Sequence, residues 1–301
     1  MSFAVVDIVT GSTQGIGKAI AESIAHHRKN STTNSFSSYR LVLVGRNEER
    51  GNQVAAAIRE ETNIDVIYET CDLSEYRSVL TMKRKILQDD NNNNNNNNVK
   101  VGILVNNAAE CPQQQQFVQR PRKMSDGTVV LQLLDKQFAS NVLGYHFMLR
   151  AFSTAFTTST RVVNVASNWA GDMDLNDLQF ERRRYDNDSA YRQSKQCDRM
   201  LSIAWAKKLR HCRVNACHPG DPCTVLSRAL GYNLYASAPT RQLIDRSGVI
   251  PFLCGLDPSG DVESTGSWYD GSEEPKKDRF ASSLQTVEAL FDECESYCVE
   301  K

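Results

Sequence analysis

The stretch TGSTQGIG, residues 10–17, follows the β-branched run AVVDIVT (4–10) and leads into an apolar-periodic segment. That order decides the architecture. A strand that turns on Gly11, Gly15 and Gly17 into a helix opens a βαβ unit; glycines allow a tight turn and close backbone approach, and the helix N-terminus offers free N–H groups to a pyrophosphate. Three glycines also serve a plain strand-to-helix turn, so the motif speaks to architecture before it speaks to ligand.

Working outward, short β-branched runs alternate with helical patterns along the chain. Strands are predicted at 3–9, 40–45, 64–70, 101–105, 161–166 and 213–217, with a short one at 267–269, and helices at 15–28, 47–60, 75–88, 128–157, 189–210 and 281–298. This alternation predicts an α/β fold, a doubly wound parallel sheet of about seven strands with helices on both faces, in one domain over residues 1–301. NSTTNSFSS (30–38), DDNNNNNNNN (89–98) and QQQQ (113–116) fall between periodic elements and read as surface insertions.

Composition narrows the function classes. The 301-residue chain has a formal net charge of −1 with both signs interspersed, which argues against nucleic acid and anionic membrane as partners. No run approaches the length of a spanning helix, and the N-terminus lacks signal-peptide character, so a cytoplasmic protein without a transmembrane anchor is expected. Nine cysteines form neither a CxxC pair nor a zinc-like Cys/His cluster, and reduced thiols with no metal site are expected.

In open α/β sheets ligands bind beyond the carboxyl ends of the strands, and these ends carry a consistent set of residues. The second strand ends in LVGRN (43–47), with Arg46 where a site for NAD(H) would carry an acid for the ribose 2′-hydroxyl. A guanidinium matches a 2′-phosphate, which favours NADP(H) over NAD(H); a solvated arginine at a helix start is the alternative. The third ends in CDLS (71–74), where Asp72 can accept from an adenine amino group or Ser74 can cap the next helix. The fourth ends in VNNAA (105–109), whose asparagines can contact a cofactor or bond their own turn. His218 opens HPG (218–220), but no acid is evident to orient it, and a structural histidine is expected. Tyr191 and Lys195 lie four apart in SAYRQSKQCD (189–198) and so share a helix face, where an ammonium would favour the ionised phenol.

TGSTQGIG, NNAA, NVLGYHFML (141–149), VVNVAS (162–167), YRQSK (191–195) and HPG occur in the order and approximate spacing of the short-chain dehydrogenase/reductase family, and the chain resembles that family throughout. MSDG (124–127) before FASNVLG (138–144), and TGSWYDG (265–271), are most similar to its retinol dehydrogenase and WW-domain oxidoreductase branch, without WW domains in the sequence at hand. The resemblance implies a single-domain Rossmann fold and a catalytic tetrad at Asn141, Ser167, Tyr191 and Lys195. It further implies cofactor contacts from Gly11, Ser12, Gln14, Gly15, Ile16, Gly17, Arg46, Asp72, Leu73, Asn107 and Ala108, and from Tyr191 and Lys195. Pro219 and Gly220 would shape the nicotinamide pocket, with Thr224 near the cofactor amide. Ala109 departs from the family's usual glycine.

The chemistry implied is hydride transfer between the nicotinamide and a small apolar aldehyde, ketone or alcohol, with Tyr191 as acid/base and Ser167 polarising the oxygen. Ser167 can instead be a capping serine, and Asn141 can either hold a relay water or make a structural hydrogen bond. A catalytically silent NADPH-binding sensor or interaction protein of the same fold is the competing reading. The substrate region is expected from 168–188 and 220–265, and a homodimer through helices 128–157 and 189–210 follows the family's habit.

Overall fold

The structure, a computed structural model, describes residues 4–30, 38–88, 99–221, 224–231, 249–256, 264–270, 275–276 and 283–300. Its main sheet has seven strands in the order β3-β2-β1-β4-β7-β8-β9. These are β1 (Ala4–Thr10), β2 (Ser38–Gly45), β3 (Val66–Thr70), β4 (Val99–Asn106), β7 (Phe156–Val165), β8 (Arg213–His218) and β9 (Trp268–Asp270). Every neighbouring pair is parallel. The chain runs outward from β1 to β3, then returns to place β4 on the other side of β1, so the topological switch point lies between β1 and β4. Of the insertion expected over 30–38, residues 31–37 lie outside the described residues, as does all of 89–98.

Both faces of the sheet are covered, which is why its strands are apolar almost without alternation. One face packs α1 (Gly15–Asn30), α2 (Glu48–Thr62) and α7 (Val249–Leu253), through Ile20, Ile24, Val54, Ile58 and Phe252. The other packs α3 (Tyr76–Leu87), α4 (Gly144–Phe152), α5 (Asn187–Lys208) and α8 (Leu284–Glu295), through Met82, Phe147, Met200 and Phe291. Each such side chain fully buried contributes about 1.5–3 kcal/mol. The buried charge in β1 is compensated: Asp7 meets Arg28 at 3.0 Å and Tyr39 Oη at 2.9 Å. Its Oδ1 also accepts from Ile103 N at 2.8 Å, where the β1–β4 register shifts.

The helix expected over 128–157 is not what forms. Residues 117–135 make an antiparallel hairpin of β5 (Phe117–Lys123) and β6 (Val129–Asp135), followed by a π-helical turn over Phe138–Leu143 and then α4. Leu134 therefore reaches the core from a strand, not from the expected helix. The reason lies in the turn. Gly127 sits at φ 84°, Asp126 Oδ1 accepts from Thr128 N at 2.9 Å, and a tight reversal there feeds two strands more readily than a continuous helix. Of the helix over 128–157 through which a homodimer was expected, Gly144–Phe152 is the α-helical part. QQQQ (113–116) leads into the hairpin, and Gln115 donates to the Gln179 carbonyl at 2.8 Å, so this run is tied to its surroundings.

Candidate active site

At the switch point the glycine turn is built by neighbours as much as by its own sequence. Gly11 has φ +66°, and a Cβ there would stand 2.7 Å from Ala108 Cα. A Cβ on Gly17 would run into the Gly11 carbonyl and Asn107 Nδ2. Thr10 Oγ1 accepts from Asn107 N at 2.9 Å and Ala108 N at 3.1 Å, while Asn107 Nδ2 donates to Thr10 O at 3.0 Å. Asn107 thus fixes the turn. Ala109 lies outside the left-handed region, so its methyl is accommodated.

A cleft of about 520 Å³ opens above these strand ends. Of the expected cofactor residues, Gly11, Gln14, Gly15, Ile16, Gly17, Arg46, Asp72, Leu73, Asn107, Ala108, Pro219 and Thr224 line it, together with Tyr191 and Lys195. Ser12 does not line it: the residue is buried, and its Oγ bonds the Val44 carbonyl at 3.4 Å. Gly220, at φ +87°, turns the chain outside the lining. Thr224 caps α6 (Val225–Ala229) through Ser227 and stands beside Gly15. Ser74 is not the cap of α3, whose N-cap is Glu75; its hydroxyl donates to Asp72 Oδ1 at 2.7 Å. Arg120 from the hairpin meets Asp72 Oδ2 at 3.0 Å.

Arg50 and Glu110 in the cleft, and the fully buried Asp198, were not singled out from sequence. Arg50 lies four residues beyond Arg46, in the first turn of α2, and donates to Gln14 Oε1 at 2.9 Å. Glu110 faces Arg46 at 3.4 Å and Lys136 at 3.4 Å, and accepts from Ser140 Oγ. Asp198 pairs with Lys195. The i,i+4 and i,i+3 spacings of Arg50 and Asp198 were available signals; Glu110 had none, since its partner is distant in the chain.

Of the expected tetrad, Tyr191 and Lys195 on α5 line the cleft, whereas Ser167 and Asn141 are not among its lining residues. Ser167 follows β7, and the Arg199 guanidinium, 3.4 Å from the Trp268 ring centroid, bonds its carbonyl. The Ser167 hydroxyl accepts from Trp169 N at 3.1 Å. Burial pushes the Tyr191 phenol well above its ordinary value, the neighbouring Ser167 hydroxyl pulls it down, and the Asp198 carboxylate adds to the rise. The phenol is therefore raised, not lowered as the Tyr191–Lys195 spacing led one to expect. Asn141 is buried in the π-helical turn: its Oδ1 accepts from Glu110 N at 2.9 Å, and its Nδ2 donates to Glu110 O at 3.0 Å and Ser194 Oγ at 3.2 Å. Both amide protons are engaged, so this side chain braces the loop after β4.

His218 corrects another expectation, since acids do stand near it. Its Nε2 lies 3.4 Å from Asp221, and its Nδ1 faces Asn168 N at 3.4 Å; both nitrogens have structural partners. The expected substrate region 168–188 is described, and its Leu178 and Phe180 are buried. Much of 220–265 lies outside the described residues. Among the described residues no helix is long and apolar enough to cross a membrane. His146, Glu295 and Cys298 group closely, but Trp205 Nε1 donates to His146 Nδ1 at 3.2 Å. This leaves the proton on Nε2, the nitrogen that a metal would need.

A family profile described as short chain dehydrogenase matches residues 5–231. Mouse "Retinol dehydrogenase 13" is 31% identical over 237 residues, covering 74% of this chain and 60% of its own length. The chain therefore spans about three fifths of that relative. An uncharacterised protein from Mycobacterium paratuberculosis has the same fold at a TM-score of 0.65 and 20% identity, over 98% of this chain and 93% of that one. A short-chain dehydrogenase from Sphingobium yanoikuyae, solved in complex with NADPH, aligns at a TM-score of 0.54 and 20% identity, over 82% of this chain and 83% of that one.

Proposed function

The chain belongs to the short-chain dehydrogenase/reductase family, and on that premise we propose that it is an NADP(H)-dependent oxidoreductase interconverting an apolar aldehyde or ketone and its alcohol. The observation that carries this reading is the meeting of two halves in one cleft: the glycine turn with Arg46 and Arg50 on its walls, and Tyr191 with Lys195. The residues fit a dinucleotide. Gly11 and Gly17 leave a cradle that a Cβ would fill, the N-terminus of α1 supplies free N–H groups, and two guanidiniums can receive a 2′-phosphate. Bound there, a nicotinamide would supply or accept the hydride.

The chain's own residues handle the proton. Tyr191 Oη gives a proton to the carbonyl oxygen in reduction and takes it back in oxidation, while Ser167 hydrogen-bonds that oxygen as charge develops. Lys195 holds its positive charge beneath the phenol, with Nζ 5.9 Å from the ring centroid. Pro219, Val225 and Leu226 give the cleft apolar walls, which suit an apolar substrate.

The test pairs binding with turnover. Tyr191→Phe should still quench on NADPH addition, yet lose at least about a hundredfold in carbonyl reduction, the scale of a positioned acid/base. Equal turnover by wild type and variant over a panel of apolar carbonyls refutes the assignment.

A further inference from the structure

Lys195 approaches the cleft from α5, yet its ammonium is drawn inward. Its three N–H groups meet three acceptors: the Val165 carbonyl at 2.9 Å, Tyr145 Oη at 3.3 Å and Asp198 Oδ2 at 2.9 Å. An ammonium has three protons, so each is engaged and none remains for a ligand hydroxyl. Lys195 is 2% exposed and Asp198 0%, which makes this a desolvated ion pair, formed at i,i+3 on one helix. The second carboxylate oxygen, Oδ1, is buried with no hydrogen-bond partner among the described residues, so Lys195 is the group that compensates the buried charge. Such a pair holds its cation tightly, because separating it strands a buried anion.

We propose that Asp198 is a positioning residue that restrains Lys195 at the cleft, and that dinucleotide binding is coupled to loosening of this ion pair. The proposal deepens the function above and rests on it. A ligand hydroxyl that reaches the floor of the cleft must take an ammonium proton from Asp198, Tyr145 or Val165, and the Asp198 contact carries the opposing charge. Part of the intrinsic affinity is therefore used to free Lys195, which raises the apparent dissociation constant.

The coupling has a pH signature. Burial pushes the Asp198 carboxyl up to about 7 against the pull of Lys195. The titratable groups meeting the pair are Tyr145 from α4, Tyr191 and Cys197 from α5, and Cys217 from β8. Burial raises the pKa of each, so they remain neutral phenols and thiols near neutrality. As pH falls through the Asp198 value, the carboxylate takes a proton, the pair dissolves and Lys195 becomes available. Affinity should rise on acidification and fall on alkalinisation.

The experiment is a fluorescence titration of the full chain with NADPH, and with NADH, which has no 2′-phosphate to titrate, from about pH 6 to about pH 8.5. Wild type, Asp198→Asn, Lys195→Met and the double variant are compared. Asp198→Asn keeps the shape and removes the charge, so it should bind both dinucleotides about tenfold tighter at about pH 8, with the gap closing towards about pH 6. In the Lys195→Met background the same substitution should give no gain. Affinity of folded Asp198→Asn equal to or weaker than wild type at high pH overturns the coupling, as does a gain that persists without Lys195. If Asp198→Asn does not fold, the wild-type NADH profile decides: affinity must weaken as pH rises through about 7, and a flat profile overturns the proposal. Wild type that binds neither dinucleotide overturns the proposed function together with the coupling; binding without the pH gap overturns the coupling alone.

Discussion

Replacing Glu110 by glutamine should tighten NADPH binding while leaving NADH nearly unchanged. Glu110 Oε2 lies 3.4 Å from Arg46 Nη2, so a carboxylate competes for the guanidinium that a 2′-phosphate would use. At 3.4 Å the bare attraction is about 1 kcal/mol at the dielectric of water and about 5 kcal/mol at an effective value of 20. Arg46 is 61% exposed and Glu110 17%, which places the pair near the aqueous limit. Glu110 also keeps Lys136 and Ser140 when Arg46 leaves, so it is not stranded. The expected gain for Glu110→Gln is therefore about 1 kcal/mol, or about fivefold in Kd for NADPH, against less than about twofold for NADH. Fluorescence titrations with each dinucleotide measure it. The gain should shrink between about 0.02 M and about 0.2 M salt as screening grows. Equal shifts for both dinucleotides, or weaker NADPH binding, would show that Arg46 does not face the phosphate.

Gly17→Ala should weaken dinucleotide binding by more than about tenfold and cost about 1–3 kcal/mol of stability, since its Cβ runs into the Gly11 carbonyl and Asn107. Urea denaturation and NADPH titration check the two parts, and unchanged binding refutes the role of the turn. Burial holds the His146 imidazole below its ordinary value, with Glu295 pulling the other way. The native state therefore binds fewer protons than the unfolded chain just below the ordinary imidazole value of 6.5, and stability from this group is lost as pH falls through that value. His146→Gln should flatten that dependence in denaturation midpoints compared at about pH 7.5 and about pH 5.5; an unchanged slope contradicts it.

The parts of the site legible in the sequence are those made by short-range geometry. Gly11, Gly15 and Gly17 mark a turn because backbone conformation there depends on adjacent residues, and the β-branched runs mark strands buried on both faces. The hairpin was also locally written, in Asp126-Gly127 flanked by strand-forming residues, although the helix expected over 128–157 runs across its second strand. Helical spacing placed Tyr191 and Lys195 on one face. It could not say which neighbour would hold the ammonium, because Tyr191 at i−4 and Asp198 at i+3 are both within reach.

Burial made that choice. Once α5 packs against the sheet, Asp198 is fully desolvated and takes the charge of Lys195, while Tyr191 is left with Ser167 and a raised phenol. Arg46 and Glu110 are likewise joined only by the return of β4 to the side of β1, since 64 positions separate them along the chain. Sequence alone thus determined the strands of the parallel sheet, most of their alternation with helices and the residues at the strand ends, because these follow from local sterics and periodicity. Tertiary structure alone decided which charges meet there, because pairing depends on distance through space and on loss of water, neither of which is encoded in spacing along one strand or helix.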